Sequence, residues 1–190
     1  DQKVSILRMA KGFIPAAFTV GDQYKTSTPV LASGCDLKNS FALALSNKIY
    51  LSQYIGDIQS ISSISHYKKT ISFWKDLLSI HEHIAACDKH PDMVTTQTAI
   101  QISTSTQSIQ HHKAHLLANQ LENNIPYPYL GVVWDGTGLG DDLSIWGGEF
   151  FYVKENSIDR IGSIQPFELP GGDKAVKEPR RSCLGALHRA

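Results

Sequence analysis

Tyr129-Leu130-Gly131-Val132-Val133-Trp134-Asp135-Gly136-Thr137-Gly138-Leu139-Gly140 starts as a short apolar run and breaks into an acidic, glycine-rich one. The first six residues read as a buried strand and the stretch 135–142 as a loop. Two further strands are expected after it, over 143–153 and 158–167. The same order stands earlier in the chain. Pro29-Val30-Leu31-Ala32-Ser33-Gly34 reads as a strand and Cys35-Asp36-Leu37-Lys38-Asn39 as a loop. Residues 40–45 and 48–55 then read as strands around a Ser46-Asn47 turn, because Asn tolerates positive φ. Strand, polar loop, strand, turn, strand therefore occurs twice, and such duplication predicts two related lobes.

Between the copies, Ile61, Ile64, Tyr67, Ile71, Trp74, Leu77 and Leu78 recur at three- and four-residue steps, which predicts an amphipathic helix over 60–78. Residues 84–88 read as a buried strand, 93–100 as a helix, 107–110 as a strand, and 111–122 as a helix that stops at Asn123-Asn124 before Pro126. The α/β order βββαβαβα makes a complete first lobe over 29–125, preceded by a leader or linker over 1–28. A second lobe starts at 126, enters a helix around Ala175 and ends at 190 without the strands that would complete its sheet. With no initiating methionine and no terminating signal, the chain is expected to be a piece of something longer.

The composition, 42% hydrophobic and 19% charged over 190 residues, is that of a globular protein. Lys plus Arg equals Asp plus Glu at 18 each, so no long-range field draws the chain to nucleic acid or an anionic membrane. No run approaches the ~18 apolar residues of a membrane-crossing helix. Three cysteines without C-x-x-C spacing argue against a disulfide framework or a structural zinc site, which fits a reducing cytoplasm.

His111 and His115 stand four apart on an expected helix and share one face, the geometry of a metal-binding pair. His112 and His115, three apart, share nearly the same face, so spacing leaves the pairing open. Asp135 follows a strand, where α/β proteins commonly place ligand groups, and reads equally as an ordinary Asp-Gly turn. Two nitrogens and a carboxylate suit Zn²⁺ or Fe²⁺ better than Mg²⁺ and leave room for a further ligand. Gly136, Thr137 and Gly138 are followed by a strand, which excludes a dinucleotide fingerprint but leaves either a phosphate cradle or a plain hairpin. Lys38 and Asn39 offer an ammonium and an amide to phosphate from the corresponding first-lobe loop. Gly171, Gly172 and Asp173 precede an expected helix start, which reads either as a plain loop before a solvated helical face or as a place suited to anions. Cys35 reads as a small buried residue, and His66, His81, His83, His90 and His188 as surface residues.

Taken in order, these stretches resemble the Kae1-like carboxy-terminal region of the hydrogenase maturation carbamoyltransferase family, HypF. The motifs are Arg8-Met9-Ala10-Lys11-Gly12-Phe13-Ile14-Pro15, Leu31-Ala32-Ser33-Gly34-Cys35-Asp36-Leu37-Lys38-Asn39, Ser52-Gln53-Tyr54-Ile55-Gly56-Asp57, Cys87-Asp88-Lys89-His90-Pro91-Asp92 and Gln110-His111-His112-Lys113-Ala114-His115. Asp135-Gly136-Thr137-Gly138, Trp146-Gly147-Gly148-Glu149-Phe150 and Leu169-Pro170-Gly171-Gly172-Asp173 complete the series.

The resemblance implies an actin-like ATPase fold (ASKHA, RNase H-like) with a partial second lobe. It also implies an ATP-dependent transfer in which a carbamoyl group moves from carbamoyl-adenylate, made by a YrdC-like domain, to the carboxy-terminal cysteine of HypE during cyanide-ligand synthesis for [NiFe] hydrogenase. It assigns His111, His115 and Asp135 to a divalent metal, Fe or Zn, with a further aspartate beyond residue 190. His112 becomes a neighbouring group, and Lys38 and Gly136 to Gly138 face the nucleotide. The acylphosphatase-like, zinc-finger-like and YrdC-like parts of the family lie outside this chain, so the chain alone is not expected to make thiocarbamate. Two other readings are a Kae1-like O-carbamoyltransferase and a non-catalytic piece that binds a maturation partner. The O-carbamoyltransferase would act on a small-molecule hydroxyl or on tRNA, the latter disfavoured by the neutral charge and by Ala114 where that branch has glycine.

Overall fold

A computed structural model describes residues 14–189, so positions 8–13 of the first motif lie outside the described residues. The chain forms two compact units that divide between Ile109 and Gln110.

The first unit is built on a six-stranded sheet of β1 (Ala16–Thr19), β2 (Thr26–Ala32), β3 (Ala42–Ser46), β4 (Lys48–Leu51), β5 (Ile84–Asp88) and β6 (Ser105–Ile109), in the order β1-β4-β3-β2-β5-β6. β2, β3 and β4 run antiparallel, as expected, and the turn's positive φ of 55° falls on Ser46. β5 and β6 are parallel to β2, which requires crossovers. Those crossovers are α1 (Ile61–Leu77) and α2 (Val94–Ile102). Three antiparallel strands extended by two parallel ones form the actin-like lobe. The stretch expected to be a leader contributes an edge strand, with Ala16 to Thr19 pairing along β4.

Ser60 starts α1 by accepting from the Ser63 N–H, while the Ser63 hydroxyl accepts from the Ser60 N–H. The helix turns Tyr67, Ile71 and Trp74 onto Leu31, Phe41 and Leu43, and each large side chain so buried stabilises by about 1.5–3 kcal/mol. α2 sets Ala99 against Ala85 and Cys87 of β5. His83, expected at the surface, is buried at the start of β5, with Nε2 unpartnered among the described residues.

The second unit begins with α3 (His111–Asn123), which ends at Asn124 in the left-handed region at φ 50°. An antiparallel meander follows, β7 (Tyr129–Leu139), β8 (Ile145–Lys154) and β9 (Ser157–Ser163), and then α4 (Asp173–Lys177) and α5 (Pro179–Arg189). Leu116 of α3 packs with Val133, Trp146, Phe151 and Val153 of the sheet. The stretch expected as a loop over 135–142 is strand as far as Leu139. Pairing with β8 resumes at Gly138–Trp146 after an irregularity that starts at Trp134. Cys35, Cys87 and Cys183 form no disulfide, and among the described residues no helix is long and apolar enough to cross a membrane.

Candidate metal centre

The Gln110 side chain accepts from the Lys113 N–H and starts α3. His111 and His115 then fall one turn apart. Asp135 stands where β7 departs from regular pairing with β8, so its backbone can bend toward the helix. The structure brings the three residues together. His111 Nε2 lies 3.0 Å and His115 Nε2 3.9 Å from Asp135 Oδ2, and the two Nε2 atoms are 3.2 Å apart.

Donor atoms of a tetrahedral site with bonds near 2.0–2.2 Å stand roughly 3.4 Å apart, so this triangle has the size of a first coordination sphere. Asp135 Oδ2 is buried and, although 3.0 Å from His111 Nε2, makes no hydrogen bond of good geometry. Its other oxygen accepts from the Gly136 N–H at 2.7 Å. An orphaned carboxylate oxygen facing two imidazole nitrogens fits a cation better than it fits a hydrogen-bonded trio. Partial burial, with the His115 side chain 56% exposed, and His111 next hold this imidazole below its ordinary pKa, against the pull of Asp135.

The ambiguity between His111 and His112 is resolved by partners. His112 is fully buried, with Nε2 3.0 Å from the Gly147 carbonyl and Nδ1 2.9 Å from Gln110 Nε2. A carbonyl can only accept, so Nε2 carries the proton and Nδ1 accepts from the Gln110 amide. Both ring nitrogens are engaged, and neither is free for a metal. Gly138 makes room for this ring: a Cβ there would stand 2.7 Å from His112 Cε1 and 3.1 Å from His111 Cβ.

In the first unit, Lys38 is exposed, at φ 51°, and its N–H donates to Asp57 Oδ1 at 2.8 Å. Asn39 is turned inward. Its amide donates to the carbonyls of Ser33 and Cys35 at 3.1 and 2.7 Å, so the side chain expected to meet phosphate braces the loop instead. Asp36 ties the same loop to the start of α2 by accepting from the Val94 and Thr95 N–H groups and the Thr95 hydroxyl, each at 2.9 Å. Gly34, at φ 70°, has the Ser40 carbonyl where a Cβ would go. In the second unit, Gly136 and Thr137 are exposed. Gly171 and Gly172 form an exposed turn at φ 87° and 55° before the single helical turn that starts at Asp173.

Two residues that sequence reasoning missed are linked to His112 through Gly147. Glu149 is buried on β8 and accepts from Arg160 Nε at 2.6 Å and from the Gly147 N–H at 3.0 Å. Arg160 of β9 lies over the Trp146 ring at 4.4 Å. The Trp146 N–H donates to Asp142, whose carboxyl is held well below its ordinary pKa, chiefly by hydrogen bonds from the Ser144 hydroxyl and N–H.

Comparison with known proteins bears on the same residues. The model of the HypF Kae1-like domain matches residues 25–122, and that of the second subdomain of the carbamoyltransferase Kae1-like domain matches residues 131–190. The carbamoyltransferase HypF of Rhizobium leguminosarum bv. viciae is 34% identical over 190 residues, all of this chain and 25% of the relative. The solved T. kodakarensis HypF superposes with a TM-score of 0.84 at 29% identity, over 100% of this chain and 25% of that one. A full-length HypF solved in a phosphate- and nucleotide-bound form superposes with a TM-score of 0.83 at 28% identity, over 92% of this chain and 23% of that one. The chain spans about a quarter of the length of the curated relatives it matches first.

Proposed function

Because this chain belongs to the HypF Kae1-like family, we propose that it carries the carbamoyl-transfer part of a HypF-type carbamoyltransferase acting in [NiFe] hydrogenase maturation. The donor is carbamoyl-adenylate supplied by a YrdC-like domain, and the acceptor is the carboxy-terminal cysteine of HypE. The acceptor thiolate attacks the carbamoyl carbon, the bond from that carbon to the phosphate oxygen breaks, and AMP leaves with the electron pair. The setting is the cytoplasm. The observation that carries the reading is the convergence of His111, His115 and Asp135, with an orphaned carboxylate oxygen, in a chain that matches the family along both of its models.

His111, His115 and Asp135 would hold a divalent cation, Fe or Zn, which would supply Lewis-acid polarisation of an oxygen of the carbamoyl or phosphate group. The chain's own groups do the rest. In the first unit, Lys38 offers an ammonium from an exposed, braced loop; in the second, Thr137, Gly171 and Asp173 offer N–H groups to phosphate, since those of Gly136 and Gly172 already donate to Asp135 Oδ1 and the Leu169 carbonyl. Asn39 acts on the nucleotide by fixing the shape of the Lys38 loop.

The test measures transfer of a carbamoyl group from preformed carbamoyl-adenylate to a peptide of the HypE carboxy terminus, in a HypF containing this region, together with metal content. His111→Ala and His115→Ala should each lose the metal and at least tenfold in transfer while leaving carbamoyl phosphate breakdown intact. Transfer retained in metal-free variants would overturn the reading.

A further inference from the structure

Glu149 is a charged side chain only 2% exposed, on the face of β8 that also carries Phe151 and Val153. A buried carboxylate is costly even when paired, and an apolar side chain at such a place often serves stability as well or better. The acid therefore calls for a reason other than packing. Its two oxygens divide between Arg160 Nε and the Gly147 N–H. The carbonyl of that same Gly147 accepts from His112 Nε2–H, and His112 Nδ1 accepts from the Gln110 amide that also caps α3. One unbroken run of bonds thus passes from the surface of β9 through the sheet to the first turn of α3. Neither Glu149 nor Arg160 is a member of the His111, His115, Asp135 cluster.

The run ends where it matters for direction. His112 follows His111 and lies three residues before His115, so fixing its ring fixes the rotation of α3 about its axis. Gly147 also lies along the backbone of Asp135 and Gly136, whose carbonyl oxygens are 3.6 and 3.8 Å from the place of its absent Cβ. The glycine held by Glu149 therefore touches both the helix that bears the two histidines and the strand that bears the aspartate.

We propose that Glu149 is a positioning residue: through Gly147 and His112 it sets the rotation of α3 that turns His111 and His115 onto Asp135. The proposal rests on the reading of those three residues as metal ligands. Groups beyond the direct ligands commonly change metal affinity by about 10–100-fold, and a loss in that range is expected here.

The experiment uses a HypF that contains this region and carries Glu149→Gln, with the affinity for the Zn²⁺ that His111→Ala removes read by chelator competition and the His112 tautomer read from ¹⁵N spectra of the metal-free protein. Zn²⁺ should bind about 10–100-fold more weakly. His112 should lose its single Nε2–H form. Should Glu149→Gln fail to fold, Arg160→Gln is read instead, since it leaves the carboxylate in place and changes a side chain at the surface. A folded variant with unchanged Zn²⁺ affinity and an unchanged His112 tautomer overturns the proposal. A wild-type protein with no Zn²⁺ that depends on His111 counts against the ligand reading alone, because the tautomer signal tests the clamp without metal.

Discussion

Gly138 and His112 are in direct contact: the imidazole lies against the glycine, and a Cβ at 138 would come within 2.7 Å of Cε1 and 3.0 Å of Nδ1. That ring cannot step aside, because both of its nitrogens are bonded. Gly138→Ala should therefore push on the first turn of α3. Overpacking of this kind costs about 1–3 kcal/mol, so a fall in the midpoint of thermal unfolding is expected, with weaker Zn²⁺ binding alongside it. Gly136→Ala, at a position with nothing within 4 Å, serves as the control and should unfold like the wild type.

The adjacent histidines should separate cleanly. His115 is exposed and His112 is fully buried and bonded twice. His115→Ala is expected to abolish Zn²⁺ binding with little change in stability. His112→Ala should cost about 2 kcal/mol or more, since it leaves the Gln110 amide and the Gly147 carbonyl short of partners. Urea unfolding and a Zn²⁺ titration on both variants check this, and equal effects on both readouts would contradict the division of roles.

The helices and parallel strands were legible because their signals are local. The three- and four-residue spacing from Ile61 to Leu77 matches α1, and the Ile84–Asp88 run matches β5. The histidine-aspartate cluster was legible through spacing and motif together. What escaped depends on partners distant in sequence. The four-residue β1 is a strand only because β4 receives it. Asp135 to Leu139 reads as a glycine-rich loop, but β8 re-pairs at Gly138 and keeps the chain extended. Glu149 has no local mark of a buried role, since its partner Arg160 sits on the next strand. Asn39 looks available to a ligand until its amide is seen to close its own loop.

The Lys38 loop makes a second division testable. Asp36 caps α2 with both carboxylate oxygens, and losing such a cap costs about 0.5–2 kcal/mol. Asp36→Ala should lower the unfolding midpoint accordingly. Lys38→Ala removes an exposed ammonium whose N–H contact to Asp57 comes from the backbone and survives. It should leave stability unchanged and weaken ATP binding severalfold by calorimetry. Unchanged ATP affinity would remove Lys38 from the phosphate site.

His83 should set an acid limit on the first unit. Its imidazole is buried, Nε2 has no partner among the described residues, and burial first, with Lys75 adding to it, holds its pKa below the ordinary 6.5. The unfolded chain therefore takes up this proton at a higher pH than the folded one. By linkage, the contribution to stability is fully present above the ordinary value and is lost as the pH falls from there toward the folded value. Urea midpoints at about pH 7.5 and about pH 5.5 should differ more in the wild type than in His83→Leu, which cannot titrate there. His115 is also held low, but it is common to both proteins and drops out of the comparison. An equal fall in the two proteins would assign the acid sensitivity to other groups.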